Sequence, residues 1–439
     1  MVNSNKHDSL PVPGPAALAH SQTLQAHIAA AVEAGGGWLP FDRYMELALY
    51  APGLGYYSGG STKFGWRADD GSDFITAPEL SPLFAQTIGQ AVAEALQASG
   101  TRAVMEFGAG TGKLAAGILA TLDALGAQCE RYTIVELSGE LRERQQATLA
   151  AACAGHPERL AKFAWLDALP AGFDGVMLGN EVLDAMPVKL YQRSSGVWHE
   201  RGVTLAALDD RQAVEIVSTS AGTKDDPPPI SHFSAEATAA DPSPIFPQRF
   251  AWADKIIAAP DAALAALLAQ VEGDHDYLTE TCDAAAAFTR TVLKLLGRGV
   301  LLLIDYGFPR HEYLHPQRTG GTLMCHYRHR AHDDPFLYPG LQDITAHVDF
   351  TAIALAGLDA GADLLGYTSQ ARFLINNGIT DLLGQLDPQD TRQFLPAANA
   401  VQKLLAESEM GELFKVIGFS RGLDGALAAF ARGDRSHTL

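Results

Sequence analysis

The stretch AVMEFGAGTGKLAAGILATLDAL, residues 103–125, decides the fold. AVMEF has the length of a buried strand, GAGTG reads as a tight turn, and Leu114, Ile118 and Leu119 then fall on one side of a helix. Glycines where a strand gives way to a helix let backbone approach a ligand at the helix N-terminus. A strict dinucleotide fingerprint asks for glycine three positions after Gly110, but Lys113 stands there. The unit therefore predicts a nucleoside site without specifying a dinucleotide.

Working outward, YTIVE (132–136), KFAWL (162–166), DGVML (174–178) and VLLLIDYG (300–307) read as further buried strands, with LFKVIGF (413–419) as the last. A helical pattern, LSGELRERQQATLAAA, follows the first of them. Alternation of strand and helix predicts a mostly parallel sheet covered by helices, an α/β Rossmann-like fold. Glu136 closes the second strand, where a carboxylate can accept hydrogen bonds from ribose hydroxyls. Glu106 precedes the glycines, and Leu166 and Asp167 follow the third strand at the place for an adenine.

Three regions depart from this alternation. Residues 1–100 are expected to form an N-terminal helical and loop segment that closes over the cofactor; a helix is predicted from about Ser21 to Ala34, stopped by Gly35, Gly36 and Gly37. The core spans 101–307 with an insertion at about 196–295, antiparallel at first, then irregular from Thr219 to Pro247. Two helices are predicted there, one with Leu264, Leu267, Leu268 and Val271 on a face and one with Leu278, Cys282, Ala285, Val292 and Leu296. Residues 308–439 form a substrate-side excursion, further helices and the final strand; the helical QARFLINNGITDLLGQL leaves a homodimer open beside simple core packing.

Composition narrows the partners. At 439 residues, with 47% hydrophobic and 19% charged side chains, the chain is large enough for one big domain with insertions or for two. A formal net charge of -19 argues against a sequence-independent grip on nucleic acid phosphates and gives no reason to expect membrane insertion or anionic lipid, while it suits a basic partner. The four cysteines show no CxxC spacing, so neither a disulfide framework nor a cysteine zinc site is expected. The N-terminal MVNSNKHDSLPVPGP has only Lys6 as a strong base, which predicts a cytosolic bacterial protein, or the mitochondrial matrix for a eukaryotic one. In CHYRHRAHDD, His326, His329, His332 and Asp333 lack a recognised zinc spacing; a turn or substrate loop is the expectation, and no metal is assigned.

The segments GLGYYSGG, KFG, DFITAPELSPLFAQ, MEFGAGTGKL, GNEVLDAMPV, LLIDYGF, GGTLMCHYRHRAHDDP and PGLQDITAHVDFTAI stand in an order and spacing that resemble the MidA family of methyltransferases, the family of a mitochondrial complex I assembly factor. The resemblance runs from about Pro40 to Gly422 and implies a class I methyltransferase fold, S-adenosyl-L-methionine as cofactor, and, for mitochondrial members, dimethylation of an arginine in a complex I subunit. It assigns Gly108, Gly110 and Gly112 to the cofactor turn, Glu136 to the ribose, and Asp73, Phe74, Thr76 and Pro78 to a segment closing over the cofactor. Asn180 and Glu181 match an Asn-Glu signature, followed here by Asp184. Ala109 replaces the family's commoner proline, and the 219–247 insertion is unusual in composition.

Methyl transfer is an in-line displacement that needs an aligned lone pair and exclusion of water. An arginine guanidinium is a poor nucleophile because it stays protonated, so carboxylates that grip it can localise its charge and orient one nitrogen. Glu181 at the tip of the fourth strand is the candidate, with Asn180 beside it. Asp184, Asp305, Asp343 and Asp349 are candidates for a second carboxylate, although Asp184 and Asp349 also suit helix caps. Tyr306, His347 and Asp349 are candidate substrate contacts. Three readings stay open at this stage: a protein arginine methyltransferase, a cofactor-binding assembly factor with little catalysis, and a small-molecule methyltransferase.

Overall fold

The computed structural model describes residues 10–59, 76–206, 249–423 and 425–439. Asp73, Phe74 and the 219–247 insertion lie outside the described residues. Helix α1 (Pro15–Ala34) begins six residues before the expected Ser21, with Pro15 at its first position, where the missing N–H costs nothing. Strand β1 (Leu39–Pro40) and helix α2 (Phe41–Tyr50) follow, then a short α3 (Ala77–Leu80) and α4 (Pro82–Ser99), which Ser81 caps by accepting from Leu83 N.

The nucleotide-binding unit comes next: β2 (Ala103–Phe107), α5 (Lys113–Ala124), β3 (Arg131–Val135), α6 (Gly139–Ala152), a short α7 (Pro157–Leu160), β4 (Phe163–Leu166) and β5 (Phe173–Asn180). The chain then leaves for β6 (Lys189–Ser194), β7 (Val197–Ala206), β8 (Arg249–Ile256) and β9 (Tyr277–Thr281), which with β1 form a five-stranded antiparallel sheet. It returns through the helix Asp283–Leu295 into β10 (Leu296–Phe308). Strands β11 (Met324–Tyr327), β12 (Arg330–His332) and β13 (Asp343–Thr345) make a three-stranded sheet. Then come β14 (Val348–Asp349), the helix Phe350–Asp359, β15 (Asp363–Ser369), several helices, and β16 (Phe414–Arg421).

The central sheet runs β15-β16-β10-β5-β2-β3-β4, with the short β14 beside β10. Pairings from β10 to β4 are parallel, whereas β16 runs antiparallel to both β10 and β15. Strand order reverses between β2 and β5, so their carboxyl ends open a crevice there. Val104, Val176, Leu302 and Ile304 pack on the side of α4 and α5; Met105, Met177, Leu301 and Leu303 pack on the other, against the helices Asp283–Leu295 and Phe350–Asp359. Both faces are covered, which is why these strands read as continuous apolar runs. A separate core joins Leu24, Ile28 and Val32 of α1 and Phe41 and Tyr44 of α2 to the antiparallel lobe.

Several sequence expectations give way. Leu278 lies not on a helix but in β9, where YLTET pairs with β6 through Tyr277↔Arg193 to Thr281↔Lys189; Cys282 caps the helix that follows. Val271 lies beyond the helix Ala262–Leu268, whose start is fixed by Asp261 accepting from Leu264 N at 2.8 Å. The helix Asp283–Leu295, placed with the insertion by its position in the chain, packs Ala285, Val292 and Leu293 on the central sheet. Strand β15 escaped notice because Gly366 interrupts its pattern; a Cβ there would meet the Phe430 ring at 2.5 Å. In QARFLINNGITDLLGQL, Phe373, Leu374 and Ile379 enter the main core. CHYRHR is a hairpin, with Arg328 and His329 at positive φ in its two-residue turn.

Candidate active site

A cavity of about 660 Å³ opens at the carboxyl ends of β2 and β5. Its floor is the glycine turn, in which Gly108, Gly110 and Gly112 have φ of 62°, 51° and 84°, a left-handed run open in practice only to glycine. A Cβ on Gly108 would stand 2.8 Å from Val182 Cγ1, so the two turns of the crevice interlock. Gly108 and Gly110 line the cavity, whereas Gly112 caps α5 and packs on Gln145.

Glu136 reaches the cavity from the end of β3. Its Oε1 accepts from Ser138 N at 2.9 Å and its Oε2 from Gln145 Nε2 at 3.0 Å, and burial raises its pKa. Gln145 is fully buried and also donates to Gly110 O at 3.1 Å, while its Oε1 accepts from Trp165 Nε1 at 2.9 Å. This one amide ties the glycine turn to Glu136, a link that sequence reasoning missed because Gln145 stands mid-helix. Leu137, also lining the cavity, is 83% exposed among the described residues.

Glu106 lines the cavity, 2% exposed, and accepts from Tyr132 Oη at 2.6 Å; burial pushes its carboxyl up to about 7. Thr76 and Pro78 form part of the wall, and Glu79 beside them binds the hydroxyl of Thr111 and the ammonium of Lys113. The N-terminal segment is thereby fastened to the glycine turn.

The opposite wall is the turn after β5. Asn180 Nδ2 donates to Glu181 Oε1 at 2.9 Å, while its buried Oδ1 finds no hydrogen-bond partner among the described residues. Glu181 has φ of 54°, which costs a non-glycine residue ~1–2 kcal/mol and marks a backbone held there by its surroundings. Burial, and then the charge of Asp184, lift the Glu181 carboxyl to about 8. Asp184 is raised to about 6 by burial, although a hydrogen bond from Tyr306 opposes the rise. Asp343 of β13 also lines the cavity, its two oxygens receiving Tyr57 Oη at 3.0 and 3.1 Å. Tyr50 stacks on Tyr57 and donates to Ala185 O at 3.0 Å, joining α2 to the same turn. Neither tyrosine was singled out as a site residue; only the aromatic and glycine-rich composition of their segment signalled a folded loop over a ligand.

Other candidates lie elsewhere. Leu166 packs on the core beside β3, and Asp167, 85% exposed, pairs with Arg142, which also donates to Glu136 O at 2.9 Å; neither is among the residues that line the cavity. Tyr306 lies behind Asp184, against His347 and Phe414. His347 is held neutral, its pKa lowered to about 4 by burial and by the charges of Arg318 and Lys415. Asp349 caps its helix by accepting from Thr351 N and Ala352 N and pairs with Arg310.

Six carboxylates line the cavity, those of Glu79, Glu106, Glu136, Glu181, Asp184 and Asp343, and no Lys, Arg or His is among its described lining residues. Such a site favours cations. Glu136 can accept from ribose hydroxyls, Leu137 offers an apolar face to a base, and the orphaned Asn180 Oδ1 awaits an N–H donor, so the residues fit a nucleoside carrying a charged amino-acid arm.

Comparison with known proteins agrees. Residues 87–368 match the family described as "Putative S-adenosyl-L-methionine-dependent methyltransferase". A Burkholderia thailandensis protein crystallised with S-adenosyl-homocysteine is 60% identical and superposes with a TM-score of 0.86 over 98% of this chain and 100% of that one. "Protein arginine methyltransferase NDUFAF7, mitochondrial" of Danio rerio is 25% identical, with 90% of this chain and 86% of the relative covered. The same-named protein of Rattus norvegicus is 26% identical, covering 91% and 85%.

Proposed function

Because the chain belongs to the family of S-adenosyl-L-methionine-dependent methyltransferases, we propose that it methylates an arginine side chain of a protein. One observation carries this reading: the wall facing the glycine turn presents the carboxylates of Glu181 and Asp184 together, in a cavity whose described lining holds six carboxylic acids and no Lys, Arg or His. A neutral or anionic acceptor would meet repulsion or unpaired charge there, whereas a guanidinium offers five N–H donors to the same oxygens.

Bound S-adenosyl-L-methionine supplies an electrophilic methyl on a sulfonium, and that bond breaks as a guanidino nitrogen forms its own. Gly108, Gly110 and Glu136 are assigned to holding the cofactor, and Asn180 Oδ1 to one of its N–H groups. Glu181 and Asp184 accept from the guanidinium, bias its charge towards the nitrogens they hold, and leave a lone pair for attack on the remaining one. Each carboxyl has its proton affinity raised by burial, which suits Glu181 to take the proton that the methylated nitrogen sheds. Tyr50, Tyr57 and the segment holding Thr76 and Pro78 exclude water from the same space.

The finer target, a respiratory complex I subunit, is proposed on the family resemblance alone; the names of the relatives support an arginine substrate. The cytosolic placement expected of a bacterial member belongs to the same proposal. Cell extract lacking this protein, supplied with methyl-labelled cofactor and either the wild type or Glu181→Gln, tests it. Label on protein that depends on Glu181 is expected; label confined to metabolites would replace the reading with a small-molecule one.

A further inference from the structure

The turn that carries Glu181 and Asp184 makes local hydrogen bonds, Met186 N to Leu183 O at 3.2 Å and Ala185 N to Asp184 Oδ1 at 2.8 Å, and is also held by segments far away in the chain. Glu181 N donates to Ile304 O of β10 at 2.8 Å, and Ala346 N donates to Asp184 O at 2.9 Å. Beneath the turn lies Asp305, fully buried at the end of β10. Its Oδ2 accepts from Leu183 N at 2.9 Å and from Asp184 N at 3.3 Å, and its Oδ1 accepts from Tyr306 N at 2.9 Å. We propose that Asp305 is a positioning residue for methyl transfer, whose carboxylate fixes the Asn180–Asp184 turn so that Glu181 and Asp184 face the acceptor. The inference rests on the proposed role of those two carboxylates.

A carboxylate is an expensive way to cap a turn here. Burial and the charges of Asp184 and Glu181 raise its own pKa well above the ordinary carboxylate range. The other ionisable groups around it give little relief. Tyr306 and Cys282 are themselves acids, the latter raised to about 12 by burial, and Lys415, its register partner across β16, commits its ammonium to Glu412 O and Leu413 O. An asparagine of the same shape would avoid the repulsion, but it has one acceptor oxygen for three N–H groups and adds two donors. Asp305 satisfies all three donors at once, which the single acceptor oxygen of an amide cannot do.

Asp305→Asn in the full chain is the test. S-adenosyl-homocysteine affinity, read by calorimetry, should stay within about twofold, because the glycine turn and Glu136 are untouched and Asn180 is kept by β5 in register with Ile304, while kcat falls roughly a hundredfold through misplacement of Glu181 and Asp184. Cofactor affinity kept while kcat falls is a split that general loss of packing would not give. Unchanged kcat, or a loss of cofactor affinity as large as the loss of kcat, overturns the proposal. Hydrogen exchange of the wild type gives an answer should the variant not fold: the Leu183 and Asp184 amides should be among the slowest to exchange, and rapid exchange there overturns it too. A wild type that modifies no protein would defeat the arginine reading alone, leaving amide protection to decide whether Asp305 holds the turn.

Discussion

Glu181→Gln should stabilise the ligand-free protein, and increasingly so as pH rises from about 5 to about 8. The wild-type carboxyl is pushed from 4.5 to about 8 by burial and by Asp184. A carboxyl whose folded pKa lies above its unfolded value costs nothing while both states are protonated, and the penalty grows as pH climbs from about 4.5 to about 8. In full, that rise corresponds to ~4 kcal/mol at pH 8. The side chain opens on a cavity that admits water, and halving the figure for that screening leaves ~2 kcal/mol. Glutamine keeps an oxygen for Asn180 Nδ2 without the charge. For 439 residues the unfolding entropy is ~0.9 kcal/mol/K, so the variant should melt ~2 °C higher at pH 8 and within ~1 °C of the wild type at pH 5. Thermal melts at the two pH values read this directly. A variant no more stable at pH 8, or a gap independent of pH, would refute the reasoning that burial beside Asp184 strains this carboxylate.

Gly108→Val places its Cβ against Val182 in a left-handed backbone, at ~1–2 kcal/mol of strain, and should abolish calorimetric binding of S-adenosyl-homocysteine; retained affinity would move the cofactor elsewhere. Gln145→Leu unpairs Glu136 and the Trp165 indole at a cost of ~1–3 kcal/mol, so cofactor affinity should fall about ten- to a hundredfold while kcat at saturating cofactor is largely kept. In wild-type enzyme, kcat/KM for the acceptor should rise between pH 6 and pH 8 as Asp184, at about 6, and Glu181, at about 8, ionise; a flat profile would remove them from the acceptor site.

The parts of the molecule legible in the sequence are those that local pattern controls. The parallel strands are largely apolar because both faces are covered, and three glycines at positive φ within five residues mark the turn plainly. The Asn180-Glu181 turn stood out because polar residues followed a buried strand. Tyr50, Tyr57 and Gln145 did not stand out as site residues, since each acquires its place through packing between segments far apart in the chain. Position after a strand suggests Leu166 and Asp167; the structure packs Leu166 on the core and pairs Asp167 with Arg142, outside the described cavity lining. Asp349 likewise satisfies a cap and Arg310, local demands that a sequence cannot separate from catalysis.

The central claim is that this acidic cavity delivers methyl groups to arginine. Its most direct test is fragmentation mass spectrometry of proteins modified by the purified enzyme, mapping the methyl to an atom, with Glu181→Gln and Gly108→Val alongside. Methyl on a guanidino nitrogen, made by the wild type and lost in both variants, is the predicted result. Methyl on lysine, on a carboxylate or on no protein at all would contradict the account.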